Sequence, residues 1–239
     1  MRTLAILNCD YVDPALAAEY GEYYEMFIEH LRAQNSTLTF EVFQAIDGQL
    51  PPLTGYAGYL ITGSRHNAHD DEPWIVELVA WCQQAYQQGQ KLAGICFGHQ
   101  LLARALGGVT ANSDKGWGLG CATTELIQAP SWASKAESTR PFHLLVSHQD
   151  QVQQLPNEAT LLARSEFCPL FMYQVGEQVF CVQGHPEFAK GYAKALIDKR
   201  EDILSATHFQ QAQHSLALEL DDALVFRWIL ELFVLAENH

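Results

Sequence analysis

Cys96 lies in residues 91–108, KLAGICFGHQLLARALGG, where an apolar run passes through Gly94-Ile95-Cys96-Phe97-Gly98 straight into a helical pattern. Small residues on both sides let a strand and a helix approach closely while the central residue occupies a strained turn with its side chain exposed. A cysteine at a strand end is ordinarily a packed small hydrophobe. The flanking glycines argue instead for a nucleophile elbow with sulfur in place of a serine hydroxyl, and the positive end of the following helix favours thiolate over thiol. A thiolate that attacks a carbonyl needs a general base that later serves as an acid, and histidine suits both roles near neutral pH. Of ten histidines, His185 alone follows an apolar strand pattern and sits in Gly184-His185-Pro186-Glu187. The residue before proline is pushed toward an extended conformation, so positions 185 and 187 should project to one side and Glu187 can orient the imidazole.

The elements around these residues alternate. Residues 3–7 form an apolar run with a polar stop at Asn8, the pattern of a buried parallel strand. Across residues 14–34, Leu16, Tyr20, Tyr23, Tyr24, Phe27, Ile28 and Leu31 recur at three and four residues and predict one helix, with Pro14 in its first turn. A strand at 37–43, a third at 59–61 ending in Thr62-Gly63-Ser64, a helix over 73–88, a strand at 91–95 and a helix containing 100–106 follow. Strand and helix alternating at this spacing imply a parallel sheet with helices on both faces and functional residues at the C-terminal strand ends. After Gly107-Gly108, strand-like segments at 121–127, 144–147, 160–163, 171–175 and 179–182 extend the sheet or form an antiparallel annex. Helices over 191–204 and 219–236 close a chain read as one domain, 1–239. Residues 208–217 show only a Gln and Ala bias.

The stretch Gly94-Ile95-Cys96-Phe97-Gly98-His99-Gln100 resembles the G-x-C-x-G-x-Q signature of class I glutamine amidotransferases, and Gly184-His185-Pro186-Glu187 resembles that family's second motif. The resemblance runs from residue 1 to roughly 188 and is closest in pattern to stand-alone proteins similar to the amidotransferase half of GMP synthase. It implies a three-layer, flavodoxin-like α/β fold with a small antiparallel annex, and a catalytic triad of Cys96, His185 and Glu187. The Phe97 N–H from the elbow is one oxyanion donor. By resemblance Gly63 supplies the other, although many members carry Gly-Gly-Pro or Gly-Ser-Pro in this loop, from which Arg65 and His66 depart. Gln100 is similar to a glutamine that lines the substrate pocket, and Ser147-His148-Gln149-Asp150 resembles an S-H-x-D segment beside the bound amino acid. The implied reaction is hydrolysis of the glutamine side-chain amide through a γ-glutamyl thioester on Cys96. Its ammonia would go to an acceptor or synthetase protein, since the 52 residues after Glu187 are too few for a synthetase domain. A stand-alone γ-glutamyl peptidase or hydrolase with the same triad, and a non-catalytic regulatory protein on the same fold, are the alternatives. No cofactor is implied.

Composition narrows the partners. Lys plus Arg total 14 against 28 Asp plus Glu, and the net charge of −14 would repel a phosphate backbone, so nucleic acid is not expected. No signal-peptide pattern and no run of 18 apolar residues is present, so no membrane span is expected. Six cysteines without paired spacing read as reduced thiols of a cytoplasmic protein. His66 and His69 with Asp70 and Asp71 could ligate zinc, but no further ligands cluster with them. The segment reads better as a capping loop before Pro73, and no metal is expected.

Overall fold

The computed structural model describes residues 2–133 and 141–234. Five parallel strands form its centre: β1 (Thr3–Asn8), β2 (Thr39–Gln44), β3 (Gly58–Ile61), β4 (Leu92–Ile95) and, far along the chain, the strand Val179–Val182. Their order is β2-β1-β3-β4 followed by Val179–Val182, all in parallel register. Alternation along β1 explains the layers, because successive side chains point to opposite faces. Leu4 and Ile6 pack with Phe27 and Leu31 of helix α2 (Tyr23–Gln34) and with Phe226 and Ile229 of the C-terminal helix, Asp222–Val234. Ala5 and Leu7 pack with Ile75 and Leu78 of α3 (Pro73–Gln87) and Leu101 and Leu102 of α4 (Phe97–Ala105). Each such buried large side chain contributes about 1.5–3 kcal/mol of hydrophobic stabilisation.

The expected helix over 14–34 is two helices, α1 (Pro14–Tyr20) and α2. Gly21 adopts φ 75, and a capping box between Glu22 and Glu25 starts the second helix. Beyond α4 the chain adds β5 (Val109–Asn112), β6 (Gly118–Leu126), β7 (Phe142–His148), β8 (Asp150–Gln154), β9 (Ala159–Arg164), β10 (Met172–Val175) and β11, the strand Val179–Val182. Of the segments foreseen around 121–182, Val179–Val182 joins the sheet parallel to β4 and the others extend it antiparallel, to give nine strands ending β11-β10-β9-β6-β7, while the annex is the separate pair β5–β8.

The helix foreseen over 191–204 is α5 (Lys190–Asp198) followed by a 3-10 turn at Glu201–Ile203, and α6 (Ala206–Ser215) was not foreseen. The last helix, α7, begins at Asp222 rather than 219, and residues 235–236 of the expected span lie outside the described residues. No helix among the described residues is long and apolar enough to cross a membrane.

Candidate active site

The C-terminal ends of β1, β3, β4 and β11 meet at one edge of the sheet. Cys96 follows β4 and is the N-cap of α4, with φ 51 and ψ −98, the one non-glycine residue at positive φ among those described. Close packing holds it there. A Cβ on Gly94 would lie 2.4 Å from the Gly98 carbonyl oxygen, and one on Gly98 would lie 2.4 Å from that of Ile61, so neither position admits a larger residue without moving backbone. Strand β11 runs parallel beside β4, with Val182 opposite Ile95, and the Cys96 N–H donates to the Val182 carbonyl at 2.9 Å. The residues just past each strand therefore share one crevice.

His185 is anchored through its N–H to the Leu145 carbonyl of β7, 2.7 Å away. Its Nδ1 lies 2.7 Å from Glu187 Oε1 in a buried pair, and its ring stacks on Phe188 at 3.9 Å between centroids. Burial disfavours the charged imidazolium, but the Glu187 carboxylate and the Cys96 sulfur more than offset it, and the pKa of His185 is raised to about 10. Glu187 Oε2 is buried with no hydrogen-bond partner of its own, so the imidazole is its carboxylate's counterpart. At neutral pH His185 is thus a proton donor beside the sulfur.

The foreseen oxyanion donors flank this pair. Phe97 is the first residue of α4, where an N–H has no acceptor within the helix. Gly63 abuts both other residues: a Cβ there would lie 2.8 Å from His185 Cε1 and 3.7 Å from Cys96 Cβ. The buried Thr62 hydroxyl accepts from the Cys9 N–H and donates to the Gly63 carbonyl, fixing this peptide. Arg65, the departure in this loop, has a local partner: its N–H and Nε both donate to the buried Asp10 carboxylate just past β1.

Gln100 lines the cavity beside Cys96, but its amide nitrogen is committed at 2.9 Å to the Asp150 carbonyl and at 3.0 Å to Gln183 Oε1. Gln183 Nε2 in turn donates to Cys96 Sγ at 3.5 Å. The arrangement makes Gln100 a support for Gln183, a residue sequence reasoning missed. Its signal was a polar residue directly after an apolar strand and before Gly184-His185. Ser147, His148 and Gln149 line the same cavity. The His148 side chain is buried, donates from Nδ1 to the Asp150 carbonyl at 3.0 Å, and is held neutral by burial with its pKa near 4.

His66 and His69 face separate carboxylates. His66 Nδ1 lies 3.0 Å from Glu72, the N-cap residue of α3, and His69 Nδ1 lies 3.3 Å from Asp150. No group of three or more His, Cys, Asp or Glu side chains placed to hold a metal occurs among the described residues.

Two cavities meet at the crevice. One, about 180 Å³, contains Cys96, Gln100 and Asp150; the other, about 330 Å³, contains His185, Tyr11, Tyr23, Tyr192 and Lys199. Ser64, Arg65, Ser147 and Arg200 line both. The larger is walled by helices α2 and α5 and the residues after β1. Of residues 65–71, Arg65 lines both cavities, and His66 and Asn67 line the smaller one.

A layered α/β sheet with a cysteine at a strand-to-helix turn and a histidine–carboxylate pair one strand over is the arrangement of this α/β protein. The profile of the class I glutamine amidotransferases matches residues 19–201, and the chain belongs to that family. It is 35% identical over 203 residues to γ-glutamyl peptidase 3 of Arabidopsis thaliana, covering 82% of this chain and 80% of that protein. It is 33% identical over 147 residues to the glutamine-hydrolysing GMP synthase of Aeropyrum pernix, covering 61% of this chain and 26% of that one. A glutamine amidotransferase from Thermotoga maritima of known structure superposes with TM-score 0.72 at 19% identity, over 98% of this chain and 96% of that one, a likeness of fold. The family consists of hydrolase and amidotransferase enzymes, and its members similar to this chain act on glutamine or γ-glutamyl compounds.

Proposed function

We propose that the chain hydrolyses γ-glutamyl peptides through a thioester on Cys96. The thiolate attacks the γ-carbonyl carbon, and the oxyanion rests on the N–H groups of Phe97 and Gly63. Collapse breaks the C–N bond as the imidazolium of His185 gives its proton to the departing nitrogen. Water then attacks the thioester, His185 takes a proton from it, and release of glutamate returns the thiolate. Glu187 holds the imidazole in place and stabilises its charge. The small cavity beside Cys96 takes the glutamyl group, and Ser147, His148 and Gln149 contact its polar atoms.

The observation that carries this reading is the larger cavity on the His185 side. A general acid must face the leaving group, so that cavity receives the departing amine. Ammonia is about the size of water, whose share of liquid volume is about 30 Å³, whereas this space is about 330 Å³. The similarity to a γ-glutamyl peptidase over most of both chains agrees with it.

A second reading, glutamine hydrolysis with ammonia handed to a separate acceptor protein, is favoured by the match to one quarter of a GMP synthase. The purified chain, supplied with glutamine and with a γ-glutamyl dipeptide while glutamate and ammonia are measured, separates the two. Turnover of the dipeptide on the order of 1–1,000 per second with little action on glutamine is expected. Rapid glutamine hydrolysis with an inert dipeptide would move the conclusion to the second reading.

A further inference from the structure

Besides His185, two arginines and one lysine line the larger cavity, and two of these three are already matched. Arg65 is paired with Asp10 at 2.9 Å, and Lys199 with Asp13. Arg200 differs from both. Among the described residues its side chain makes one hydrogen bond, from Nη1 to the Leu196 carbonyl at 2.8 Å, and its guanidinium lies 4.1 Å over the Trp117 ring. No carboxylate stands within ion-pair distance of it among the described residues, in a chain whose acidic residues outnumber its basic ones two to one. The side chain is half-buried, and burial pushes its pKa below the usual arginine value.

An uncompensated, partly desolvated cation is costly unless something else pairs with it. Capping the end of α5 explains part of the arrangement, and stacking on Trp117 explains part of its orientation. The Leu196 contact uses one of five guanidinium N–H donors, and the residue lines both cavities at their junction. A planar fork of donors at that place suits a carboxylate. The acyl side already presents the buried Asp150 carboxylate, which opposes an anion there, whereas on the leaving-group side the one carboxylate lining the cavity, Asp13, is neutralised by Lys199 and tyrosine hydroxyls stand beside it.

We propose that Arg200 binds a carboxylate on the departing amine. The preferred substrates are then γ-glutamyl-α-amino acids and γ-glutamyl peptides with a free C-terminus, ahead of γ-glutamyl derivatives of neutral amines. The proposal rests on the γ-glutamyl hydrolase reading above and assigns the specificity of its leaving-group side.

The test compares γ-glutamylalanine with γ-glutamylalaninamide, which differ only in the leaving-group carboxylate. The wild-type chain should favour the acid by about 10–100-fold in kcat/KM, mostly through KM. Arg200→Gln should bring that ratio close to one through loss on the acid, and Arg200→Lys should keep part of the preference, which also guards against a folding defect. Equal use of acid and amide by the wild type would overturn the assignment. So would an Arg200→Gln loss of the same size on both substrates, which would place the residue on the glutamyl carboxylate or in a purely structural role. Absence of glutamate release from either compound by the wild type would instead remove the hydrolase reading, and it is recognised without recourse to any Arg200 variant.

Discussion

Cys181 lies in β11 opposite Gly94 of the neighbouring β4, two residues short of the level of Cys96, which follows β4. Cys181 is in mid-strand and fully enclosed, and burial pushes its thiol up to about 12. Cys96 is one residue past the strand end, at positive φ, against the Gln183 amide and beside His185. Nothing in the residue type separates them. In a parallel α/β sheet a mid-strand position belongs to the core, whereas the position just beyond the C-terminal end opens on the crevice where several loops converge. The reactivity proposed for Cys96 follows from the place where the strand stops.

The largest expected effect tests that contrast directly. Cys96→Ala and His185→Ala should each reduce turnover by about 10⁴-fold or more, while Cys181→Ala leaves kcat unchanged. A glutamine-analogue electrophile should label Cys96 alone, as peptide mass spectrometry would show. Label on Cys181 would undo the comparison. Glu187→Gln should lower kcat by about 10²–10³-fold and leave measurable activity. The Glu187 carboxylate helps raise His185 to about 10, so the alkaline limb of the kcat/KM profile should move to lower pH in this variant. A limb that stays in place would detach Glu187 from the imidazole.

Gly63→Ala should cost about 10–100-fold in kcat, because its Cβ would displace His185, while Tm shifts by no more than about 4 °C. Gly98→Ala meets backbone instead and should destabilise the fold by about 3 kcal/mol. If Gly63→Ala unfolds the chain as readily as Gly98→Ala, the first position serves the core and not the crevice.

A smaller effect concerns stability in acid. His99 and His148 are buried and held neutral, at about 3 and about 4. In the unfolded chain a histidine titrates near 6.5, at about that value, so between these limits the unfolded state binds the extra proton. The contribution of these two histidines to stability is fully present above pH 6.5 and is lost as pH drops toward 4, by about 1.4 kcal/mol per pH unit for each such proton. His185, raised in the fold, is protonated in both states across this window and adds no slope. Urea midpoints from pH 7 to 4.5 should show the decline, and His99→Gln should flatten it. An unchanged slope would mean that His99 is not neutral in the fold.

The parallel half of the fold was legible because its strands announce themselves as apolar runs with polar stops, at Asn8, Thr62 and Gln183. The break at Gly21 was hidden by an apolar spacing that continues through both helices, since Leu16 and Tyr20 of α1 pack in one cluster with Tyr23 and Met26 of α2. Helix α6 buries only Ala212, so it carries no stripe to detect, and its signal was the Ser205 cap. Cys96, His185 and Glu187 stand in local patterns that sequence can expose. Asp10 meets Arg65 across 55 residues, Gln183 meets Cys96 across 87, and Arg200 stacks on the distant Trp117, so although the polar stop at Gln183 is visible locally, these pairings are not.

The backbone of Cys96 has a thermodynamic consequence of its own. A side chain held at φ 51 sits in a sparsely populated region that costs about 1–3 kcal/mol, met by the surrounding packing. Glycine adopts positive φ without that penalty. Among variants lacking the sulfur, Cys96→Gly should therefore tolerate heat better than Cys96→Ala, and differential scanning calorimetry of the pair would measure how much durability the elbow gives up to present its thiol.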